Sequence, residues 1–233
     1  MDVGKSFRFV FEDMDWVSKL LISVLVSLVP ILNFAFIGYL VQLILNVSGG
    51  IAFPLPDWSD FGDKFVKGLI MVVAGFIYAL PIIILVVVVA GAGVLTEVAG
   101  GGDLSDVAGA AFTGTAILFS CLSILYGFAL TFFYFGMAIH FSREGTFGSC
   151  FQIGKIINLI SSNLGEYLTA WLVSLLFGFV LTIAAGIAFT ILSIIICIGW
   201  ILMFLLTAFL SVWPNIVIFH LFGQVGALDT VAE

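Results

Sequence analysis

Two histidines, three cysteines and a scatter of amides and tyrosines are the side chains here with chemistry to offer. A metal or proton-transfer site at His140 or His220 would need carboxylate or thiolate neighbours. Each instead ends a long apolar run, in AIHFSRE and VIFHLFG. There, a helix-end histidine interacting with the macrodipole is sufficient explanation. Cys121, Cys150 and Cys197 form no CxxC and read as buried, inert thiols. No nucleophile elbow, phosphate loop or HExxH is present. The expectation is no catalytic residue, no metal and no cofactor.

The remaining polar residues lie inside apolar runs: Asn33, Gln42, Asn46, Tyr78, Tyr126, Tyr134 and Asn215. Interhelical hydrogen bonds, at about 0.6 kcal/mol each, account for most of them. A second reading makes Asn33, Gln42 and Asn215 the lining of a polar cavity beside helices broken at Pro30 and Pro214. Discontinuous helices of that kind are what transporter sites use. The stretch Pro30-Ile-Leu-Asn33 reads as a turn, for which Asn33 can supply both a donor and an acceptor as a cap.

The elements that would hold these residues are membrane helices. Of 233 residues, 63% are hydrophobic and 9% are charged, against roughly 25% charged in soluble domains. The net charge of -7 leaves no basic patch for nucleic acid. The acidic N-terminus lacks a signal-peptide pattern. The expected fold is an all-α integral membrane protein, one polytopic domain over residues 1–233.

Residues 20–56 carry no formal charge. As one helix, 20–47 would be about 42 Å long, against a hydrocarbon core of about 30 Å. Further apolar runs cover about 66–96, 107–141, 167–190 and 193–220. If 16–48 goes in and returns, all seven basic residues (Lys5, Arg8, Lys19, Lys64, Lys67, Arg143 and Lys155) lie on one face. Glu97, Asp103 and Asp106 then lie on the other. The positive-inside rule prefers that arrangement. It gives about six membrane helices in three hairpins, 16–48, 67–142 and 166–221, the first either spanning or re-entrant. The protein is placed in the cell membrane, with both termini cytoplasmic.

Interfacial amphipathic helices are expected before each hairpin. Residues 1–15 align Phe7, Val10 or Phe11, Met14 and Val17, with Asp15 paired to Lys19. In 51–65, Asp57 caps a helix with Asp60 in capping-box position; Asp60–Lys64 and Asp63–Lys67 pair. A third element aligns Cys150, Ile153, Ile157, Ile160 and Leu164. Trp16, Trp58, Phe61 and Phe65 are the expected interfacial anchors, and Asp103 an N-cap for the third apolar run.

The segments FEDMDWVSKLLI, VPILNFAFIGYLVQLILNV, LPDWSDFGDKFVKGL, IHFSREGTFGSCFQIGKI and FHLFGQ resemble a polytopic membrane family of archaea and some bacteria. It is catalogued as domain of unknown function four thousand and thirteen. The family has no assigned activity, so the resemblance implies a membrane fold and no catalytic residue. The layout is more distantly similar to the membrane domains of some glycerophosphodiester phosphodiesterases, at the level of fold pattern alone. Three roles follow. The first is a structural or accessory membrane component that binds lipid, another membrane protein or a second copy. The alternative is a small permease or channel component for a neutral or lipid-like substrate, and an intramembrane enzyme comes last. A water-filled tunnel reaching Asn33 would favour transport; a solid helical core would favour the accessory role.

Overall fold

The structure, a computed structural model, describes residues 1–99, 104–195 and 198–229. Asp103 and Cys197 lie outside the described residues. Among these residues the chain is all-helical, without strands. Its helices are α1 (Val3–Glu12), α2 (Trp16–Leu28), α3 (Asn33–Ser48), α4 (Phe61–Ala99), α5 (Leu104–Glu144), α6 (Ile153–Ser162), α7 (Leu164–Ser193) and α8 (Ile198–Asp229). A 3-10 segment, Phe147–Phe151, precedes α6. Among the described residues, four stretches are long and apolar enough to cross a membrane: Phe61–Gly91, Thr115–Glu144, Leu164–Ser193 and Ile198–Leu228.

The chain forms two compact units, Met1–Val72 with Phe135–Glu233, and Val73–Tyr134. In the smaller unit, Tyr126 donates its hydroxyl to the Tyr78 carbonyl at 2.6 Å, and Tyr78 packs edge-on against Phe133. These bonds tie the middle of α4 to α5. Pro81 is carried inside α4.

In the larger unit α3 is the central element. Its Ala35, Phe36, Tyr39, Leu40, Val41, Leu43 and Ile44 are buried, against Ile216, Val217, Leu221, Phe222 and Val225 of α8 among others. Small residues permit this closeness. A Cβ on Gly38 would overlap the Lys64 carbonyl, and one on Gly68 would overlap the Phe34 carbonyl. So α3 and α4 cross backbone against backbone. Gly223 seats against Val47 and the Ile44 carbonyl in the same way.

The break expected at Pro30–Asn33 is present: α2 ends at Leu28 and α3 begins at Asn33. Main-chain bonds close it, from the Asn33 N–H to Val29 O at 2.9 Å and from Ala35 to Leu32 O at 2.8 Å. Ser27 lies 3.3 Å from Ser211, hydroxyl to hydroxyl. From that level α8 continues to Ile198, about 20 Å further at 1.5 Å per residue.

The amphipathic elements differ from expectation in detail. No separate helix covers 57–65; residues 51–60 are irregular, and Phe61 opens α4 itself. The buried face of α1 is Ser6, Phe9 and Val10, while Phe11, Met14 and Val17 are exposed. On α6 the buried face is Ile156, Leu159 and Ile160; Ile153, Ile157 and Leu164 point outward. Gly136 of α5 selects that face, since it lies directly under Ile156 and Ile160. Where both faces of a helix are apolar, periodicity alone cannot choose the inner one.

Candidate functional site

Polar side chains gather at the end of the larger unit where α2, α4 and α7 begin and α3, α5 and α8 finish. The block LPDWSDFG forms its centre. Gly50, at φ +70°, turns the chain away from α3, and three groups then fix the loop. Asn46 donates to Pro54 O at 2.9 Å, Lys19 donates to Leu55 O at 3.1 Å, and Trp58 Nε1 donates to Lys19 O at 3.2 Å. The Trp58 ring stacks on buried Tyr39 at 4.8 Å.

Lys19 pairs with Asp13 at 2.7 Å rather than with Asp15. Asp13 is almost fully buried and also accepts the Asp15 N–H, so its carboxylate has the greater need of a cation. Gln42 donates to Asn46 Oδ1 at 3.0 Å and accepts from Lys67 at 3.2 Å; Lys67 also pairs with Asp63 at 2.7 Å. The expected Asp63–Lys67 pair is therefore formed, and the Asp60–Lys64 pair is not. Lys64 is 4% exposed, and among the described residues no hydrogen-bond or ion-pair partner meets its amine. Asp57 caps no helix; its carboxylate accepts the Ser59 hydroxyl and N–H. Those two bonds, chiefly the hydroxyl, hold its carboxyl below the ordinary aspartate range, helped by the charges of Lys64 and Lys19.

A second cluster docks α1 on α8. The Asp2 N–H donates to Gln224 Oε1 at 2.6 Å, which orients that amide. Gln224 Nε2 then donates to Asp2 O and to Ser6 Oγ, both at 2.9 Å, and the Ser6 hydroxyl and His220 Nδ1 share a hydrogen bond at 2.8 Å. Phe9 stacks on the imidazole at 3.9 Å. A serine on a histidine nitrogen is the beginning of a nucleophile–base pair. Here the hydroxyl is fully buried and is the middle link between Gln224 and His220, so the cluster acts as a clasp. His140 faces Gln152 Oε1 at 3.1 Å, and Arg143 donates to Gly226 O. Burial pushes the Cys150 thiol up to about 11, consistent with an inert thiol.

The three amides singled out from the sequence do not converge. Gln42 belongs to the network above. Asn33 is the first residue of α3, half-buried, and its side chain caps nothing. Asn215 donates to Ser211 O at 2.9 Å, one carbonyl along from that of Leu210, which Pro214 leaves without its helical donor. Of the expected anchors, Trp58 is half-buried by Tyr39 and Lys19, Trp16 packs edge-on against Phe11, and Phe65 against Phe34. Phe61 lies 6.2 Å from Trp58. The burial of Asp13 and Lys64 was missed by sequence reasoning; that of Lys64 follows from the α3–α4 crossing at Gly38, which one sequence does not reveal.

These features define an all-helical protein whose long apolar helices are compatible with a membrane. The chain belongs to the family described as Protein of unknown function (DUF4013), which matches residues 21–190. That stretch contains the whole LPDWSDFG block and the α3–α4 crossing. No curated protein and no solved structure matches the chain.

Proposed function

We propose that this is a multi-pass component of the cell membrane that works through its surfaces, as a structural or accessory subunit holding lipid or a protein partner. The observation that carries this is where its polar and apolar groups go. Gln42, Asn46, Gln224, Asp13, Lys19, Asp63, Lys67 and Arg143 of the larger unit bond to one another and to main chain. Many of its large apolar side chains meanwhile face outward, with Leu176 68%, Phe179 67% and Trp200 73% exposed. A surface of that kind requires lipid or a partner.

Four spans and one re-entrant pair, α2–α3, fit the geometry best. The pair accompanies α8 only as far as Ser211, about halfway along, and α2 is 13 residues, about 20 Å. Hydrogen bonds link the end bearing all seven basic residues: Lys19 to Leu55, Ser48 to Gly223 and Arg143 to Gly226. This supports a cytoplasmic location for that end and for both termini. The permease alternative needs the amides to share a cavity, and Asn33, Gln42 and Asn215 have separate surroundings.

Reconstitution into liposomes tests the proposal. Permeability to glycerol and urea should stay within twofold of protein-free vesicles, while native mass spectrometry of the extracted protein retains lipid or a partner at fixed stoichiometry. Tenfold faster solute flux would replace the accessory role with transport.

A further inference from the structure

The bonds that dock α1 on α8 admit one protonation state of His220. Asp2 fixes the Gln224 amide from both sides: its N–H donates to Oε1 at 2.6 Å, and its carbonyl accepts from Nε2 at 2.9 Å. The amide cannot turn over without losing both bonds. Its Nε2 hydrogens therefore face Ser6 Oγ at 2.9 Å and His220 Nδ1 at 3.2 Å. Ser6 Oγ lies 2.8 Å from the same nitrogen; it accepts from Gln224 and keeps its own hydrogen for Nδ1. The network thus assigns Nδ1 as an acceptor, in a neutral ring that carries its hydrogen on Nε2. A second hydrogen, on Nδ1, would point at the Gln224 N–H. Burial sharpens that conflict, since Ser6 and His220 are buried and Phe9 stacks on the ring.

Lys5 and Asp2 of α1 are the charges that act on the ring, with opposite signs. The titratable groups of the other elements around α8 are engaged elsewhere. Lys19 of α2 is held by Asp13, and Tyr39 of α3 stacks on Trp58. On α7, Glu166 lies beside Met1 and Tyr167 packs on Phe222; on α5, His140 meets Gln152 and Arg143 meets Gly226 O. We infer that α1 is a pH-sensitive strap, docked on α8 while His220 is neutral and released when His220 takes up a proton. The Asp13–Lys19 pair ties the far end of α1 to α2. Release therefore lifts Phe7 from Phe177 and Trp213, baring an aromatic face of α7 and α8 while α1 stays attached. A released histidine titrates near its ordinary value of about 6.5. Docking is then at full strength above about pH 6.5 and weakens as the pH falls below it. Between about pH 7.5 and about pH 5.5 the released fraction should rise about tenfold.

Amide exchange of the full chain in dodecyl maltoside, corrected for the intrinsic pH dependence of exchange, tests the strap. Protection over residues 3–12 should fall about tenfold from the higher to the lower pH, while α3 keeps its protection. His220→Asn sets an amide oxygen near the Nδ1 position, keeps an acceptor for Ser6 and Gln224, and does not titrate. Its α1 should be equally protected at both pH values. Equal protection at the two pH values in the natural chain, or the same fall in His220→Asn, would overturn the inference. Should His220→Asn fail to fold, NMR of the natural chain labelled with nitrogen-15 histidine decides. At the higher pH the His220 ring should carry its hydrogen on Nε2 and none on Nδ1, and its protonation should track the loss of α1 protection. A His220 that becomes fully protonated while α1 stays protected would refute the strap by that route.

Discussion

An amide inside an apolar segment either finds a partner or destabilises the fold, and the three amides of α3 divide on that line. Asn46 both donates to Pro54 O and accepts from Gln42. Asn33 bonds through its main chain alone. Asn46→Leu should therefore lower stability by about 1–3 kcal/mol, since it orphans a carbonyl and an amide together. Asn33→Leu should stay within about 0.5 kcal/mol. Melting curves in detergent decide the order, and equal losses would contradict it. Asp57 offers a pH-dependent test. Its folded-state value is depressed, so its contribution to stability is present above the unfolded value near 3.8 and is lost as pH falls through the folded one. Ser59→Ala should move the Asp57 titration up toward 3.8 in carboxyl-resolved NMR. An unmoved titration would exclude the Ser59 hydroxyl as the main cause. At this scale the sequence was a partial guide. The Asp63–Lys67 pair follows from i,i+4 spacing on one helix. The Lys19–Asp13 bond crosses a helix boundary, and spacing rules do not extend to it.

Elements were legible wherever apolar length alone defines them. The four long apolar helices and the break after Leu28 follow from hydropathy and Pro30. Which face of a helix turns inward did not follow, because α1 and α6 carry apolar residues on both sides. Glycines settled that choice: Gly136 receives α6, and Gly38 with Gly68 brings α4 onto α3. Gly38→Ala places a methyl group on the Lys64 carbonyl, and since backbone meets backbone there, the helices must separate. The expected loss is about 2–3 kcal/mol, an overpacking cost. Gly62→Ala, where a Cβ meets nothing within 4 Å, should be neutral or slightly stabilising. A Gly38→Ala protein as stable as Gly62→Ala would show that the crossing is looser than described. The α1 clasp is a second element-scale device. Gln224→Leu removes both the Asp2 and the Ser6 bonds and should speed amide exchange over residues 3–12 without changing that of α3. Unchanged exchange in α1 would mean that Phe9 and Val10 dock it unaided.

For the whole molecule, the distribution of charge and the geometry of α2–α3 bear on one question, namely which residues reach which side of the membrane. The sequence placed the basic residues on one face but left 16–48 either spanning or re-entrant, because a charge count is the same for both. Length separates them. A pair that turns near the level of Ser211 ends about 20 Å short of Ile198; in the re-entrant arrangement proposed above, its tip stops near the bilayer midplane. Single cysteines at Ser59, Ser105 and Ile31, in a chain with Cys121, Cys150 and Cys197 replaced, distinguish the cases. With a membrane-impermeant maleimide, Ser59→Cys should label from the side of the termini and Ser105→Cys from the other. Ile31→Cys, at the tip between α2 and α3, should label from neither side in intact vesicles and react after detergent is added. Labelling of Ile31→Cys from the Ser105 side would make α2–α3 a complete hairpin and raise the number of crossings to six. Labelling of Ser59→Cys and Ser105→Cys from the same side would defeat both arrangements.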